Sequence, residues 1–455
     1  MRTLPLCLFI AVGALHAQDT RTVTEPKIPP ACAAVPAQLT SLGGTIAAGD
    51  EHKPDTARIQ AALDRCPPGR AVELKAEGSH DAFLSGPLQL RRGVALVVDR
   101  GAMLYASRNP RDYDLTPGVC GTITPRGHGC KALINGDHVP GAGVMGEGLI
   151  DGRGGAKIMG EEFTWWDLAE KARKGGTQNN PRILILSHCD GFTLYRIHLK
   201  DSPNFHVSYS HADGFTAWGV IINSPRNARN TDGIDPSDST NVTITHCFIH
   251  TGDDNVAIKA PAGGETAHMT IAHNHFYTGH GVSIGSETDG GASAIRVRDL
   301  SIDGADNGLR IKSNISRGGP VHDVEYEDVC IRATRHPILL DSNYSAAPIT
   351  RRDKIPAFTD IRLKNVRVLG GGRITVQGFD AAHRSRIQFD GVTLDPPDAV
   401  KFDFSHAAVL LGPGPVNFRP SGEDVTVTGT PGPGAAEAIC ADKFVPFPVP
   451  ESVKR

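Results

Sequence analysis

Asn230-Thr231-Asp232-Gly233, Gly252-Asp253-Asp254, Gly279-His280-Gly281 and Arg310-Ile311-Lys312 follow one another along the middle of this chain. Together they hold three carboxylates, one imidazole and two fixed positive charges. If the carboxylates meet, their repulsion raises the proton affinity of one, which becomes a neutral acid beside ionised partners. A general acid and a general base then share one site. Arg310 and Lys312 cannot serve as acids at working pH. They suit a substrate carboxylate, Arg310 in planar bidentate fashion and Lys312 as a point charge. Such a set is equipped to hydrolyse a glycosidic bond in an acidic polysaccharide. A stray Asp or His in a turn is ordinarily no more than a solvated polar group. Six functional groups in register, three of them like-charged, cost repulsion with no structural return.

Bringing them together falls to a repeat. Units opening at Phe192, Phe215, Val242, Met269, Ile295, Val324 and Ile361 recur at roughly 23 to 37 residues, the period of solenoids. Within a unit the apolar residues take the first, third, sixth and eighth places, as in Phe192, Leu194, Ile197, Leu199 and in Ile295, Val297, Leu300, Ile302. Period two, a one-residue break and period two again predict two short half-buried strands joined by a sharp bend. A third apolar pair follows a polar turn: Val256 and Ile258, Val282 and Ile284, Leu309 and Ile311, Ile338 and Leu340. Three short strands per unit predict an all-β parallel β-helix, each coil bonded to the next. A propeller or sandwich would need antiparallel hairpin signals. Stacked strands lie ~4.8 Å apart, so equal places in successive units become neighbours. Asp253 and Asp254 enter the third strand of the Val242 unit, and His280 takes the same place one unit later. Aligning Ile234 with Val256 sets Asp232 beside Asp254. Arg310 and Lys312 bracket the inward Ile311, so both project outward, and the six groups form a column over four coils.

Residues 1–17 read as a secretory signal peptide: Arg2, an apolar run from Leu4 to Leu15, then His16-Ala17. The run is too short to span a membrane, and nothing later approaches the ~20 apolar residues required. Residues 18–455 are expected to form one exported, soluble β-helix domain, a monomer in the secreted or periplasmic compartment. A net charge of −3 predicts no nucleic-acid or general polyanion binding, so attraction for an acidic substrate must be local. Removing the leader leaves an even number of cysteines in an oxidising compartment. Cys120 and Cys130 flank a Gly-rich loop and are expected to pair; Cys32 with Cys66 and Cys330 with Cys440 are candidate pairs, the sequence leaving the connectivity open. Cys247 takes an inward place and reads as a buried free thiol. No CxxC pair exists, which argues against structural zinc, and neither metal nor cofactor is expected.

Outside the repeat, Pro54-Asp55-Thr56 followed by Ala57, Ile59, Ala62 and Leu63 predicts a capped short helix over the open N-terminal end of the stack. Gly160–Thr177, with Trp165 and Trp166, predicts a lateral loop with a short helix, whose tryptophans pack into the loop or stack on sugar rings. Weaker strands follow Leu394, and then a Pro-rich extended tail around Phe444–Pro448.

Asn230–Ala260, Phe276–Glu287 and Asn307–Ser313 resemble the polygalacturonases of glycoside hydrolase family 28, and bacterial endopolygalacturonases most. Similarity extends from about Ile59 to Tyr344. The resemblance implies a right-handed, pectin-lyase-like parallel β-helix that cleaves α-1,4 bonds of homogalacturonan by inverting, metal-independent hydrolysis. It implies Asp253 as general acid, Asp232 and Asp254 holding and activating the water, and His280 maintaining the acid's protonation. Arg310 and Lys312 would grip galacturonate, with Tyr344 touching the sugar. Asn255 departs from fungal members, which carry cysteine there. Ile150–Gly154 and Ser202–His206 also match family patterns, as coil-turn residues with possible substrate contacts. Exo action, or hydrolysis of rhamnogalacturonan or xylogalacturonan, is the alternative within the family. A non-catalytic β-helix binding module fits poorly, because a binder of polyanions should avoid clustered carboxylates.

Overall fold

A computed structural model describes residues 18–434 and 440–448, so the leader expected over residues 1–17 lies outside it. The chain winds as a parallel β-helix in which 31 strands form one continuous sheet. The unit openings align strand on strand: Phe192 with Phe215, Phe215 with Val242, Val242 with Met269, Met269 with Ile295, Ile295 with Val324 and Val324 with Ile361. Phe192, Leu194, Ile197 and Leu199 point inward and are fully buried. Each coil contributes a first strand, a second strand and, after a polar turn, a third.

The bend between first and second strands is one residue in the left-handed region. Arg196, Gly219, His246, His273, Asp299, Asp328 and Asn365 occupy it in turn, with φ between 49° and 65°. Short polar side chains tolerate that region best outside glycine, which explains the Asp/Asn/His residues between the apolar pairs. In the later coils the bend is gentle enough that first and second strands run on as one, as in Thr266–Phe276. One inward place breaks the aliphatic pattern. Asn274 is buried, donating to the Ile244 carbonyl at 2.9 Å and accepting from the Cys247 amide at 2.9 Å.

The predicted helix is α1 (Thr56–Arg65), which buries Ile59, Ala62 and Leu63 against the core below the first coils. Asp55 precedes it without capping it. Its carboxylate accepts instead from the Leu84 amide at 3.2 Å and pairs with Arg58. Gly160–Thr177 does hold a short helix, α2 (Trp165–Ala172), started by a Thr164/Asp167 capping box. Trp165 is buried, and the Trp166 indole donates to the Ser202 carbonyl at 2.9 Å, so these tryptophans serve packing.

Disulfides join Cys120 to Cys130, as expected, and both candidate pairs, Cys32 to Cys66 and Cys330 to Cys440, while Cys247 and Cys189 are buried free thiols. Strands persist beyond Leu394 as Val400–Leu411 and Gly422–Gly429, paired in parallel. The extended tail lies on the second strands, where the Tyr277 hydroxyl donates to the Val445 carbonyl at 3.0 Å. No helix among the described residues is long and apolar enough to cross a membrane.

Candidate active site

Four successive third strands carry the column. Ile234 pairs with Val256, Val256 with Val282 and Val282 with Leu309, which places Asp232, the Asp253-Asp254 pair, His280 and Arg310 on adjacent coils. The Gly233 amide donates to the Asp254 carbonyl at 2.9 Å, so Asp232 and Asp254 do lie side by side. Leu309 and Ile311 point inward, and Arg310 and Lys312 face the other way. Gly281, at φ 64°, has no room for a side chain: a methyl group there would overlap the Gly308 carbonyl.

Burial separates the roles. Asp232, Asp254, Arg310 and Lys312 are buried, while Asp253 and His280 reach solvent with side chains 20% and 26% exposed. Asp254 is held from three sides: the Lys312 ammonium at 2.8 Å, the Ser283 hydroxyl at 2.6 Å and the Arg310 guanidinium at 3.2 Å. The two basic residues thus spend charge on Asp254. The Tyr344 ring lies beside both, 5.4 Å from the Arg310 guanidinium and 5.6 Å from the Lys312 ammonium. His280 Nδ1 stands 3.1 Å from Asp253 and 3.6 Å from Asp254. Asp253 also accepts from the Asp254 amide at 3.0 Å and more weakly from the Asn230 side chain at 3.4 Å.

These surroundings push the acids apart, as the sequence predicts, and show which one retains a proton. Burial, then the charges of Asp253 and Asp235, hold Asp232 well above the usual carboxylate range. Burial acts upward on Asp254 too, but Lys312, His280 and Arg310 outweigh it and hold that group well below. Asp253 also ends lowered, since the His280 hydrogen bond overcomes its burial. For His280 burial works downward, yet the hydrogen bonds its ring donates to Asp253 and Asp254 carry it up to about 9. At neutral pH a proton therefore sits on the imidazole, one hydrogen bond from Asp253.

Donor atoms of Asp253, Asp254 and His280 lie within 4.8 Å of one another, a spacing a cation could use. The donor set does not fit one: Arg310 and Lys312 already neutralise Asp254, and their charges would repel a metal ion. A concavity of about 1160 Å³ between Leu42, Arg100, Trp218 and Phe248 lies elsewhere, and no residue of the column lines it.

Residues 120–403 match the model of glycosyl hydrolases family 28. The chain belongs to that family. It is 40% identical to a polygalacturonase of Ralstonia nicotianae, over 96% of this chain and 94% of that protein. It is 42% identical to an endo-polygalacturonase of Pectobacterium carotovorum subsp. carotovorum, over 84% of this chain and 91% of that one. The solved polygalacturonase of Erwinia carotovora ssp. carotovora superposes with a TM-score of 0.80 at 41% identity, covering 86% of this chain and all of that one.

In this family 28 hydrolase several groups position the column through contacts that the sequence does not display. Asn255 is one: its amide donates to the carbonyls of Ile249 and Thr278 at 3.1 and 3.0 Å, and its oxygen accepts from the Gly281 amide at 2.8 Å. The loop bearing His280 is pinned by that side chain. His206 is fully buried and touches no substrate. Burial lowers it to about 4, and its neutral ring meets the Asp232 carbonyl at 3.0 Å and the Ser224 hydroxyl at 3.0 Å. Asp235, raised by burial to about 7, lies beneath Asp232 with the Lys259 ammonium 3.4 Å away. Arg153 pairs with Glu51 at 2.5 Å and Asp151 with Lys200 at 2.9 Å, so the Ile150–Gly154 run is structural. Apolar periodicity carries no trace of these buried polar contacts. The Asp and Lys of Asp235-Lys259 are visible only once the third strands are stacked.

Proposed function

We propose that this glycoside hydrolase cleaves α-1,4-galacturonosyl bonds within polygalacturonate, as an endo-acting, inverting enzyme that uses no metal. The observation that carries the reading is Asp253: the one carboxyl of the trio that reaches solvent, 3.1 Å from an imidazole that holds a proton to about pH 9. His280 passes its proton to the Asp253 carboxylate, 3.1 Å away, which hands it on to the leaving oxygen. Asp254, kept ionised by Lys312 and Arg310, takes the proton of the attacking water, and protonated Asp232 helps to hold that water. A galacturonate carboxylate meets positive charge at Arg310 and Lys312 beside the Tyr344 ring. The names of the 40% and 42% identical bacterial relatives support the polymer and the internal mode of attack. Three disulfides fit the exported compartment that the leader implies.

Chromatography of early digestion products from polygalacturonate tests the reading. Mixed oligomers are expected. Monomer alone would make the enzyme exo-acting, and an unsaturated product absorbing near-ultraviolet light would make it a lyase. Proton NMR of the first-formed reducing end should show the β-anomer, because inverting enzymes leave room for water between acid and base.

A further inference from the structure

Away from the column, a row of imidazoles stands where the third strand ends. Asp137, Ser187, Ser210 and Ser237 align across four coils, and the next residues are His138, His188, His211 and Asp238. All four take left-handed backbone, with φ of 52°, 53°, 55° and 45°. The rings of His138 and His188 stack 4.3 Å apart at 7°, and those of His188 and His211 stack 5.3 Å apart at 13°. The Asp137 carboxylate lies 2.8 Å from His138 Nδ1, and the buried Asp238 carboxylate lies 3.4 Å from His211 Nε2. Donor atoms of Asp137, His138 and His188 all fall within 4.8 Å of one another, and all three residues are exposed.

We propose that Asp137, His138 and His188 form a binding site for a divalent transition-metal ion, with His211 next in the row. The left-handed turn does not ask for imidazole, since Asp238 makes the same turn one coil on. Stacked coils fix the two histidine backbones in register, so the ligands need close on an ion only by side-chain rotation. Zinc takes imidazole nitrogen at ~2.0–2.1 Å and carboxylate oxygen at ~2.0–2.2 Å. Two imidazoles with one carboxylate suit Zn²⁺, Cu²⁺ or Ni²⁺, whereas Ca²⁺ and Mg²⁺ want oxygen donors. Asp238 restrains the His211 ring, as outer-shell carboxylates do around zinc.

Calorimetric titration of the intact, chelator-treated protein with Zn²⁺ tests the site. One saturable site per chain is expected, undisturbed by excess Ca²⁺ or Mg²⁺. His188→Asn keeps a residue that tolerates left-handed backbone, and it should weaken Zn²⁺ binding roughly tenfold or more. His138→Asn should do the same, while His406→Asn, another left-handed histidine remote from the row, should leave affinity unchanged. Matched thermal unfolding of the variants excludes misfolding as the cause. No saturable binding, or parental affinity in both His138→Asn and His188→Asn, would overturn the proposal and leave these histidines as turn residues only.

Discussion

Asp253 and His280 are the members of the column that solvent reaches, and beyond burial their mutual hydrogen bond and the Asp254 charge govern their protonation. Asp253→Asn keeps the shape of the site but removes the carboxylate that carries the His280 proton to the leaving oxygen. Turnover of polygalacturonate should fall ~10²–10⁴-fold, with thermal unfolding nearly unchanged; activity within tenfold of the parent would take Asp253 out of the acid role. The imidazole makes a second, thermodynamic statement. Its folded proton affinity, raised from 6.5 to about 9, stabilises the fold fully below pH 6.5, and that contribution is lost as pH climbs through 9. At full separation it is worth at most ~3 kcal/mol. Denaturant midpoints at pH 6 and 9.5 should therefore differ less in His280→Asn than in the parent. Lys312 belongs to Asp254 as much as to any substrate. Lys312→Met removes one of three partners from a buried carboxylate and should cost ~1–3 kcal/mol of stability. Turnover of the free polymer should drop more than that of the methyl-esterified form, whose ester offers Lys312 no charge, and an unchanged denaturation midpoint would deny the Asp254 role.

At the scale of elements, the third strand and the turn before it do the positioning. Asn255→Ala would orphan the Gly281 amide and strip a second donor from the Ile249 and Thr278 carbonyls, so a loss of ~1–3 kcal/mol is expected. The displaced His280 loop should lower kcat more than it raises KM, and steady-state kinetics beside denaturation would show both. The column is legible in the sequence because a solenoid turns sequence offset into spatial adjacency: Ile234, Val256, Val282 and Leu309 align on apolar pattern alone. Left-handed bends were legible as well, as Asp, Asn and His between apolar pairs. What escaped were polar residues satisfied from a distance. Asn274 sits at an inward place where the pattern expects an aliphatic, and nothing local marks its partners. Asp55 read as a cap, but the Leu84 amide, supplied by a strand of the stack, draws its carboxylate away. Arg310 and Lys312 were visible as outward charges, whereas their common burial against Asp254 follows from coil stacking rather than from either residue's neighbours.

The whole molecule is a stack over whose middle the first and last described segments, from Asp19 and from Cys440, turn back. Near the start, Asp19 accepts from the Thr243 hydroxyl at 2.6 Å, and Arg21 donates to the Phe215 carbonyl at 2.8 Å. Toward the other end Cys440 is bonded to Cys330, and Phe447 packs edge-on against the rings of His250 and Tyr277. Cys330→Ser should cost ~2–5 kcal/mol, read from denaturation with and without reductant, since the bridge closes a segment of 110 residues. An open stack of repeats can fray from its terminal coil inward, each repeat leaning only on its neighbours. Here fraying meets two straps that cross coils far from the segments they come from, and both reach the Val242 and Met269 coils, which carry Asp253, Asp254 and His280. Peeling is thereby converted into a concerted event, with the catalytic coils among the last to open. Amide exchange should show it as one slow, shared opening across Val242–Phe276 in the parent, splitting into graded rates once the bridge at Cys330 is removed.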